Sequence, residues 1–288
     1  MQVITTEAPA KINLYLKVLG RRQDGYHELD TVMAKLGLSD RLTIARRTEG
    51  IRLQCLQSDL PENEDNLAVK AARIFFATSH MKGGVDILLE KKIPVAAGLG
   101  GGSSDAAAVL LTLNKLFDQP LQGEELLRLG GDLGADVPFF ISPLNCVRAG
   151  GIGEILSPVR MEGNYSVLLV NPGFAVATRW VYENFALTTP VNPYILGREW
   201  QDKTDDRVFS RHYLSKLTND LESVTCARHP AIVSIKDRMR QFGALAALMS
   251  GSGPTVFALF DDALSAQRCS AHFSAKYETG IFVTRFRQ

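Results

Sequence analysis

The chain has 288 residues, of which 45% are hydrophobic and 22% charged, a balance typical of a globular protein long enough for two domains. Its formal net charge of +1 gives no sign of a nucleic-acid partner or of binding to an anionic membrane. No long apolar run and no signal peptide is recognisable, and the four cysteines lack the C-x-x-C spacing of a zinc site. We therefore expect a cytoplasmic protein without an obligatory protein partner.

The pattern of apolar residues predicts both strands and helices. Apolar and polar side chains alternate over residues 10–18, which is typical of a strand with one buried and one solvated face. Further strands are predicted over 31–38, 40–45, 84–89, 167–170, 255–260 and 280–285. Helices are predicted over 66–79, 104–117, 124–133, 179–185, 232–242 and 263–275. Residues 188–210 lack periodicity and are predicted as loop and short helix.

These elements predict an α+β fold. The pattern of residues changes after the glycine-rich segment at 149–154, and no internal repeat is visible. The simplest organisation is an N-terminal domain over 1–155, which carries the glycine-rich loop described next, and a C-terminal domain over 156–288.

The strongest local signal is the run Gly98-Leu99-Gly100-Gly101-Gly102-Ser103-Ser104 between a predicted strand and a predicted helix. Glycines leave backbone N–H groups accessible to an oxyanion, and a helix start adds a positive dipole, so the segment predicts a polyphosphate site. Ser103 or Ser104 is available as the N-cap of the helix. No lysine follows as in a Walker A loop, and no second strand ends in an acid as in a dinucleotide fold.

Several motifs in order along the chain carry a family resemblance. Pro9-Ala10-Lys11-Ile12-Asn13-Leu14, the segment 94–104 and Ser250-Gly251-Ser252-Gly253-Pro254 resemble the three motifs of the kinase superfamily that includes galactokinase, homoserine kinase and mevalonate kinase. Asp24-Gly25-Tyr26-His27 and the stretch L-G-A-D-V-P-F-F at 133–140 resemble the branch that phosphorylates the 2-hydroxyl of 4-diphosphocytidyl-2-C-methyl-D-erythritol in the non-mevalonate route to isoprenoid precursors.

The resemblance implies a fold and two ligands. The expected N-terminal domain is like domain 2 of ribosomal protein S5, and the expected C-terminal domain is ferredoxin-like. ATP is the expected co-substrate, with Mg²⁺ as the metal ion. The expected partners are therefore two small molecules, ATP and the cytidyl-linked alcohol.

The resemblance also implies roles for individual residues. Lys11 and Asp136 are the expected catalytic pair, and Ser104 is an expected Mg²⁺ ligand. The expected substrate contacts are Asn13, Tyr26, His27, Thr178 and Tyr182. The expected ATP-binding residues are Asn66, Lys91, Pro94, Val95, Ala96, Ala97, Gly98, Leu99, Gly100, Gly101, Gly102, Ser103 and Ser104.

Structural interpretations of the same residues stay open at this point. Lys11 suits an exposed position on a strand, Asp136 a helix cap or turn, and Ser104 an N-cap. The loop at 250–254 suits either close approach to substrate phosphates or contact with the first glycine loop.

Other functions are compatible with parts of the pattern. A superfamily kinase acting on homoserine or a mevalonate derivative is disfavoured by the D-G-Y-H segment, because a small acyclic substrate has no aromatic base to stack. An inactive homologue that senses a metabolite is disfavoured by the presence of Lys11, Asp136 and the glycine loop. A nicotinamide oxidoreductase is disfavoured, because the predicted elements lack the strand order of a dinucleotide-binding fold.

Overall fold

The computed structural model describes residues 2–56, 58–186, 207–275, 277 and 280–288. Two compact units are present, and each is built from separated stretches of chain. Strands β1 (Val3–Arg21) and β2 (His27–Arg47) contribute residues to both units. The division into functional domains at residue 155 stays a prediction. None of the described helices is long and apolar enough to cross a membrane.

The first unit comprises the described residues of Met1–Ala10, Leu38–Val95 and Gly100–Pro143. Besides parts of β1 and β2 it contains β3 (Gly50–Leu56), α1 (Leu67–Ser79), β4 (Gly84–Glu90), α2 (Gly101–Leu116), α3 (Gly123–Leu133) and α4 (Val137–Ile141). Strand β4 pairs antiparallel with β2 and parallel with β3.

Helices α1 and α2 pack together in this unit, with the rings of Phe75 and Phe117 fully buried 6.0 Å apart between centroids. Local signals explain the helix starts. The Asn66 side chain caps α1 by accepting the Ala68 N–H at 2.9 Å, and Gln122 with Glu125 forms a capping box on α3.

The second unit comprises Lys11–Gly37, Ala96–Leu99 and the described part of Leu144–Gln288. Its further strands are β5 (Cys146–Gly150), β6 (Ile155–Pro158), β7 (Arg160–Met161), β8 (Ser166–Val170), β9 (Val208–Phe209), β10 (Ala246–Met249), β11 (Val256–Phe260) and β12 (Ile281–Arg285). Its helices are α5 (Thr178–Glu183), a 3₁₀ helix (Arg211–Lys216), α6 (Glu222–Arg228), α7 (Ala231–Gln241) and α8 (Ala263–Ser274).

A four-stranded antiparallel sheet in the order β10-β11-β8-β12 forms the core of the second unit. Every residue of β8 and β11 is buried, which explains why both strands appear in the sequence as continuous apolar runs. Helix α7 packs on β10 and β11, while α8 packs on β8 and β12. The α+β prediction is confirmed.

Three local predictions are wrong. Residues 10–16 of β1 are buried on both faces, so the strand has no solvated face there. Helix α2 begins at Gly101, and its N-cap is Gly100 in a left-handed conformation, so neither Ser103 nor Ser104 caps it. The strands predicted at 31–38 and 40–45 are one strand, β2. The prediction for 188–210 lies outside the described residues up to 206.

Two glycine substitutions test the packing of the first unit. A Cβ on Gly84 would lie 2.1 Å from the carbonyl oxygen of Gly50, whereas a Cβ on Gly131, exposed within α3, would meet no atom within 4 Å. We expect Gly84→Ala to lower the free energy of unfolding by about 1–3 kcal/mol or more. Gly131→Ala should raise it by about 0.5–1 kcal/mol. Urea unfolding of both variants measures this, and equal effects would contradict the packing at Gly84.

Candidate active site

The glycine-rich segment has an alternating backbone. Ala96, Gly98 and Gly100 have φ of 51°, 76° and 69°, while the residues between them are not in the left-handed region. Alternation of right- and left-handed residues turns successive N–H groups toward a common side and makes a concavity that suits an anion. Left-handed residues at 96, 98 and 100 are compatible with such a concavity, and phosphate binding by this segment stays a prediction.

Three consecutive carbonyl groups of this segment are occupied by protein donors. The carbonyl of Ala97 accepts from Thr255 N–H at 3.3 Å, that of Gly98 from the Ser250 hydroxyl at 2.9 Å, and that of Leu99 from Lys11 N–H at 2.9 Å. The acceptor side of the segment is thus held by β1 and by the loop that precedes β11. The N–H groups are the backbone groups that remain to face an anion.

Two of the glycines lie close to other atoms of the protein. A Cβ on Gly98 would lie 2.2 Å from the carbonyl oxygen of Ser250, and a Cβ on Gly101 would lie 3.1 Å from Ile93 Cγ2. Gly102 has more room, since a Cβ there would be 3.5 Å from Leu67 Cδ1. Hence close backbone packing accounts for Gly98, whereas a Cβ on Gly101 would press on the Ile93 side chain.

Lys11 and Asn13 are buried, at 5% and 3% exposure, so the interpretation of Lys11 as an exposed strand lysine is wrong. The Lys11 ammonium donates to Asn13 Oδ1 at 2.6 Å, and Asn13 Nδ2 donates to Thr31 Oγ1 at 2.9 Å. The Thr31 hydroxyl in turn donates to the Tyr15 carbonyl at 2.6 Å. A buried ammonium with ordered partners has a fixed position, as a catalytic cation needs.

Lys91 belongs to a buried cluster beside the start of α2. Its ammonium donates to Asp40 at 2.5 Å and to Asp105 at 2.8 Å, and all three side chains are at most 5% exposed. Burial raises the pKa of Asp105 to about 7, against the opposing effect of Lys91 and with a further increase from Asp40. The cluster therefore connects the end of β4 with α2, and the contact of Lys91 with the nucleotide stays a prediction.

Asn66 and Ser104 differ in how their side chains are used. Asn66 caps α1 and also donates from Nδ2 to the Pro61 carbonyl at 2.9 Å. Ser104 is 1% exposed, and its hydroxyl has no hydrogen-bond partner within the described part of the chain. An unpaired buried hydroxyl in the first turn of α2 is typical of a group reserved for a ligand.

Asp136 is the N-cap residue of α4, yet its carboxylate makes no capping hydrogen bond, so the interpretation as a helix cap is not supported. Gly134, two residues earlier, lies beside the start of α2: a Cβ placed on it would be 4.0 Å from Ser103 Oγ. Asp136 is thus part of a segment packed next to the first turn of α2. Lys11 belongs to the other compact unit.

The residues expected to contact the cytosine base come from two segments of the second unit. The rings of His27 and Tyr182 are stacked with centroids 5.2 Å apart and an interplanar angle of 28°. Burial and the charge of Arg21 lower the pKa of His27, which favours the neutral imidazole. Tyr26 is 60% exposed. Thr178, at the start of α5, shares a hydrogen bond of 2.8 Å with Ser252.

Four residues near these groups had no individual role predicted from the sequence, although Ser250 lies in the third motif. Asp40 gives no sequence signal, because its partner Lys91 is distant in the chain. Asp105 does give one, as the single acid within an alanine- and leucine-rich helix. Ser250 and Asn219 have roles that depend on tertiary contacts alone. The contact between the loop at 250–254 and Gly98 decides one open alternative, since this loop packs against the first glycine loop.

Comparisons with known proteins agree with this geometry. The family model described as GHMP kinases N terminal domain matches residues 66–143, and that described as GHMP kinases C terminal matches residues 210–279. A 4-diphosphocytidyl-2-C-methyl-D-erythritol kinase of Geobacter metallireducens is 45% identical over 90% of both chains. A kinase of the same name from Clostridium beijerinckii is 42% identical over 97% of this chain and 98% of its own length.

Solved structures show the same relationship. A crystal structure of 4-(cytidine 5'-diphospho)-2C-methyl-D-erythritol kinase superposes with a TM-score of 0.81 at 34% identity, over 99% of this chain and 100% of the other. A homoserine kinase from Cytophaga hutchinsonii shares the fold with a TM-score of 0.74 at 16% identity, over 100% of this chain and 96% of the other. The chain therefore belongs to the GHMP kinases, ATP-dependent enzymes, and within them to the family of the 4-diphosphocytidyl-2-C-methyl-D-erythritol kinases.

Removal of the unpaired hydroxyl tests whether Ser104 serves a ligand. Ser104→Ala breaks no hydrogen bond within the described protein, so we expect the free energy of unfolding to change by less than about 0.5 kcal/mol. If the hydroxyl contacts the metal–nucleotide complex, the apparent Mg²⁺ affinity at saturating ATP should fall roughly tenfold to a hundredfold. Unfolding curves and Mg²⁺ titrations of turnover measure the two effects. Lost stability with an unchanged Mg²⁺ requirement would make the hydroxyl structural.

Proposed function

We propose that the protein transfers the γ-phosphoryl group of ATP to the 2-hydroxyl of 4-diphosphocytidyl-2-C-methyl-D-erythritol. The observation that carries the proposal is the glycine-rich segment, whose carbonyls at 97–99 are all hydrogen-bonded to protein and whose residues 96, 98 and 100 have a positive φ. Such a segment presents donors, and the dipole of the 16-residue helix α2 adds to their attraction for phosphate. The identity of the alcohol substrate is inferred from the names of the relatives.

Asp136 and Lys11 are the proposed catalytic pair. As the substrate oxygen bonds to the γ-phosphorus, its proton passes to the Asp136 carboxylate and the bond between the γ-phosphorus and the ADP oxygen breaks. The ammonium of Lys11 stabilises the negative charge that develops on the transferring group. Its hydrogen bond to Asn13 Oδ1 keeps the cation in one orientation, so that little reorganisation accompanies the reaction.

Mg²⁺ is part of the proposal, because phosphoryl transfer from ATP uses a divalent ion to neutralise phosphate charge. Among the described residues no group of three or more His, Cys, Asp or Glu side chains could hold a metal ion. Mg²⁺ accepts a site with one or two protein oxygens completed by phosphates and water, and the buried Ser104 hydroxyl fits that need.

The cytidyl group is assigned to the aromatic pair of the second unit. His27 and Tyr182 already stack on each other, so a cytosine ring has a flat surface to join. A neutral His27 presents one donor and one acceptor for the base edge. Tyr26 is the second proposed aromatic contact, and its 60% exposed side chain is accessible to a ligand.

The location is also proposed. The four cysteines are free thiols, and burial raises the pKa of Cys226 and of Cys269 to about 11, so these two stay protonated. Free thiols and the use of ATP both suit the cytoplasm.

A coupled assay of ADP release tests the substrate. The cytidyl-linked methylerythritol, homoserine and mevalonate are compared at equal concentrations with the purified protein. We expect turnover with the first substrate and none above background with the others. Comparable turnover with homoserine would overturn the assignment of the alcohol and leave the kinase class intact.

Substitution of the proposed base tests its role. Asp136→Asn keeps the size of the side chain and removes its basicity, so kcat should fall by about two to four orders of magnitude with little change in nucleotide affinity. Asp132→Asn is the matched control, because Asp132 is an exposed α3 residue paired with Arg128. Steady-state kinetics with both variants decide the matter: near-normal turnover of Asp136→Asn would remove it from the mechanism.

The aromatic pair gives a prediction about binding. Stacking on a base contributes about 1–3 kcal/mol per contact, and it acts far from the reacting hydroxyl. Tyr182→Ala should therefore raise KM for the cytidyl substrate roughly tenfold to a hundredfold, with a smaller fall in kcat. Tyr182→Phe keeps the ring and should be nearly silent. Equal losses for the two variants, or none for Tyr182→Ala, would make Tyr182 a packing residue.

A further inference from the structure

A single buried amide holds the loop that precedes β11. Asn219 is 4% exposed, and its Nδ2 donates to the carbonyl of Met249, at the end of β10, at 2.8 Å and to that of Gly251, in the loop, at 2.7 Å. Its Oδ1 accepts the Leu221 N–H at 3.0 Å. Both hydrogens of the amide and its oxygen are thus used, and among side chains of this size only asparagine offers that combination.

The segment that carries Asn219 is itself fixed to β1. Leu16 N–H donates to the Thr218 carbonyl at 2.9 Å, and Asp220 N–H donates to the Leu16 carbonyl at 3.0 Å. The Asp220 carboxylate also accepts from Val18 N–H at 2.9 Å. Because β1 also bears Lys11 and Asn13, Asn219 ties the loop to the same strand that supplies these two side chains.

The loop held by Asn219 places Ser250 at a junction. The Ser250 hydroxyl donates to the Gly98 carbonyl at 2.9 Å and accepts from Asn13 N–H at 3.3 Å. It therefore contacts both the glycine-rich segment and the residue whose side chain receives the Lys11 ammonium. Asn219 fixes the loop on either side of Ser250, since its two acceptors belong to residues 249 and 251.

We propose that Asn219 is a positioning residue of the phosphoryl-transfer site, which sets the place of Ser250 and, through it, of the Gly98 carbonyl and of the Asn13–Lys11 pair. Asn219 acts through Ser250 and takes no part in the chemistry. The inference rests on the proposed roles of Lys11 and of the segment 94–104.

The sharpest variant is Asn219→Asp. It keeps the shape of the side chain, but it removes both donors and sets carboxylate oxygens against the Met249 and Gly251 carbonyls. We expect kcat to fall at least tenfold and KM for ATP to rise about threefold to tenfold, measured well below the unfolding midpoint of the variant. Asn219→Ser retains one donor, folds with fewer lost contacts, and should show an intermediate loss.

A matched amide elsewhere separates positioning from folding. Asn114, 8% exposed in the last turn of α2, donates to the Leu121 carbonyl and accepts from Leu121 N–H, both at 3.0 Å. It lies about 15 Å along the helix from Ser104. Asn114→Asp should lower the unfolding midpoint as Asn219→Asp does, but leave kcat and both KM values within twofold of the parent.

A double-mutant cycle tests the route through Ser250. Ser250→Ala removes the hydroxyl that holds Gly98 and Asn13. In the Ser250→Ala background, Asn219→Asp should therefore lower kcat/KM little further. Additive losses in kcat/KM, or kinetics of folded Asn219→Asp and Asn219→Ser within twofold of the parent, would overturn the inference. If Asp136→Asn and Ser104→Ala were also silent, the proposed active site itself would fail; a loss in those two variants alone would refute only the role of Asn219.

Discussion

The proposed phosphate-binding segment depends on the anchoring of three carbonyl groups, those of residues 97–99. Backbone carbonyls repel a polyphosphate, and a glycine-rich segment left to itself would present carbonyls and N–H groups equally well. Pairing with Thr255, Ser250 and Lys11 removes the acceptors from the ligand side. The first and third motifs of the chain thus prepare the second for its ligand, and this mutual dependence explains why all three occur together.

The position of the charged side chains tells more about this molecule than its net charge does. The net charge is only +1, yet Lys11, Lys35 and Lys91 are buried. The Lys11 ammonium donates to the Asn13 amide oxygen, whereas the Lys91 ammonium donates to two carboxylates and holds α2 to the end of β4. A buried lysine therefore has a neutral amide partner in one unit and two charged partners in the other.

The sequence allowed prediction of the elements with strong periodicity and of the motif residues, but not of their partners. The predicted strands β4, β8 and β11 and the helices α1, α3, α7 and α8 are present within a few residues. Strands β3, β5, β6, β7, β9 and β10 were not predicted, because such short strands give little periodic signal. The alternation in β1 gave a wrong prediction of one solvated face, since the side chains on both faces of residues 10–16 are buried. Asp40, Ser250 and Asn219 act through contacts distant in sequence, which local patterns do not encode.

The interleaving of the two units has a consequence for anyone who wishes to divide the protein. Residues 11–37 belong to the unit that also contains 144–288, so a cut at residue 155 passes through the middle of that unit. A fragment ending there would retain Lys11 while losing Ser250 and Asn219, and β1 would lose its hydrogen bonds to residues 218, 220 and 250. Split reporters and truncation libraries should therefore keep residues 11–37 and 144–288 in the same piece.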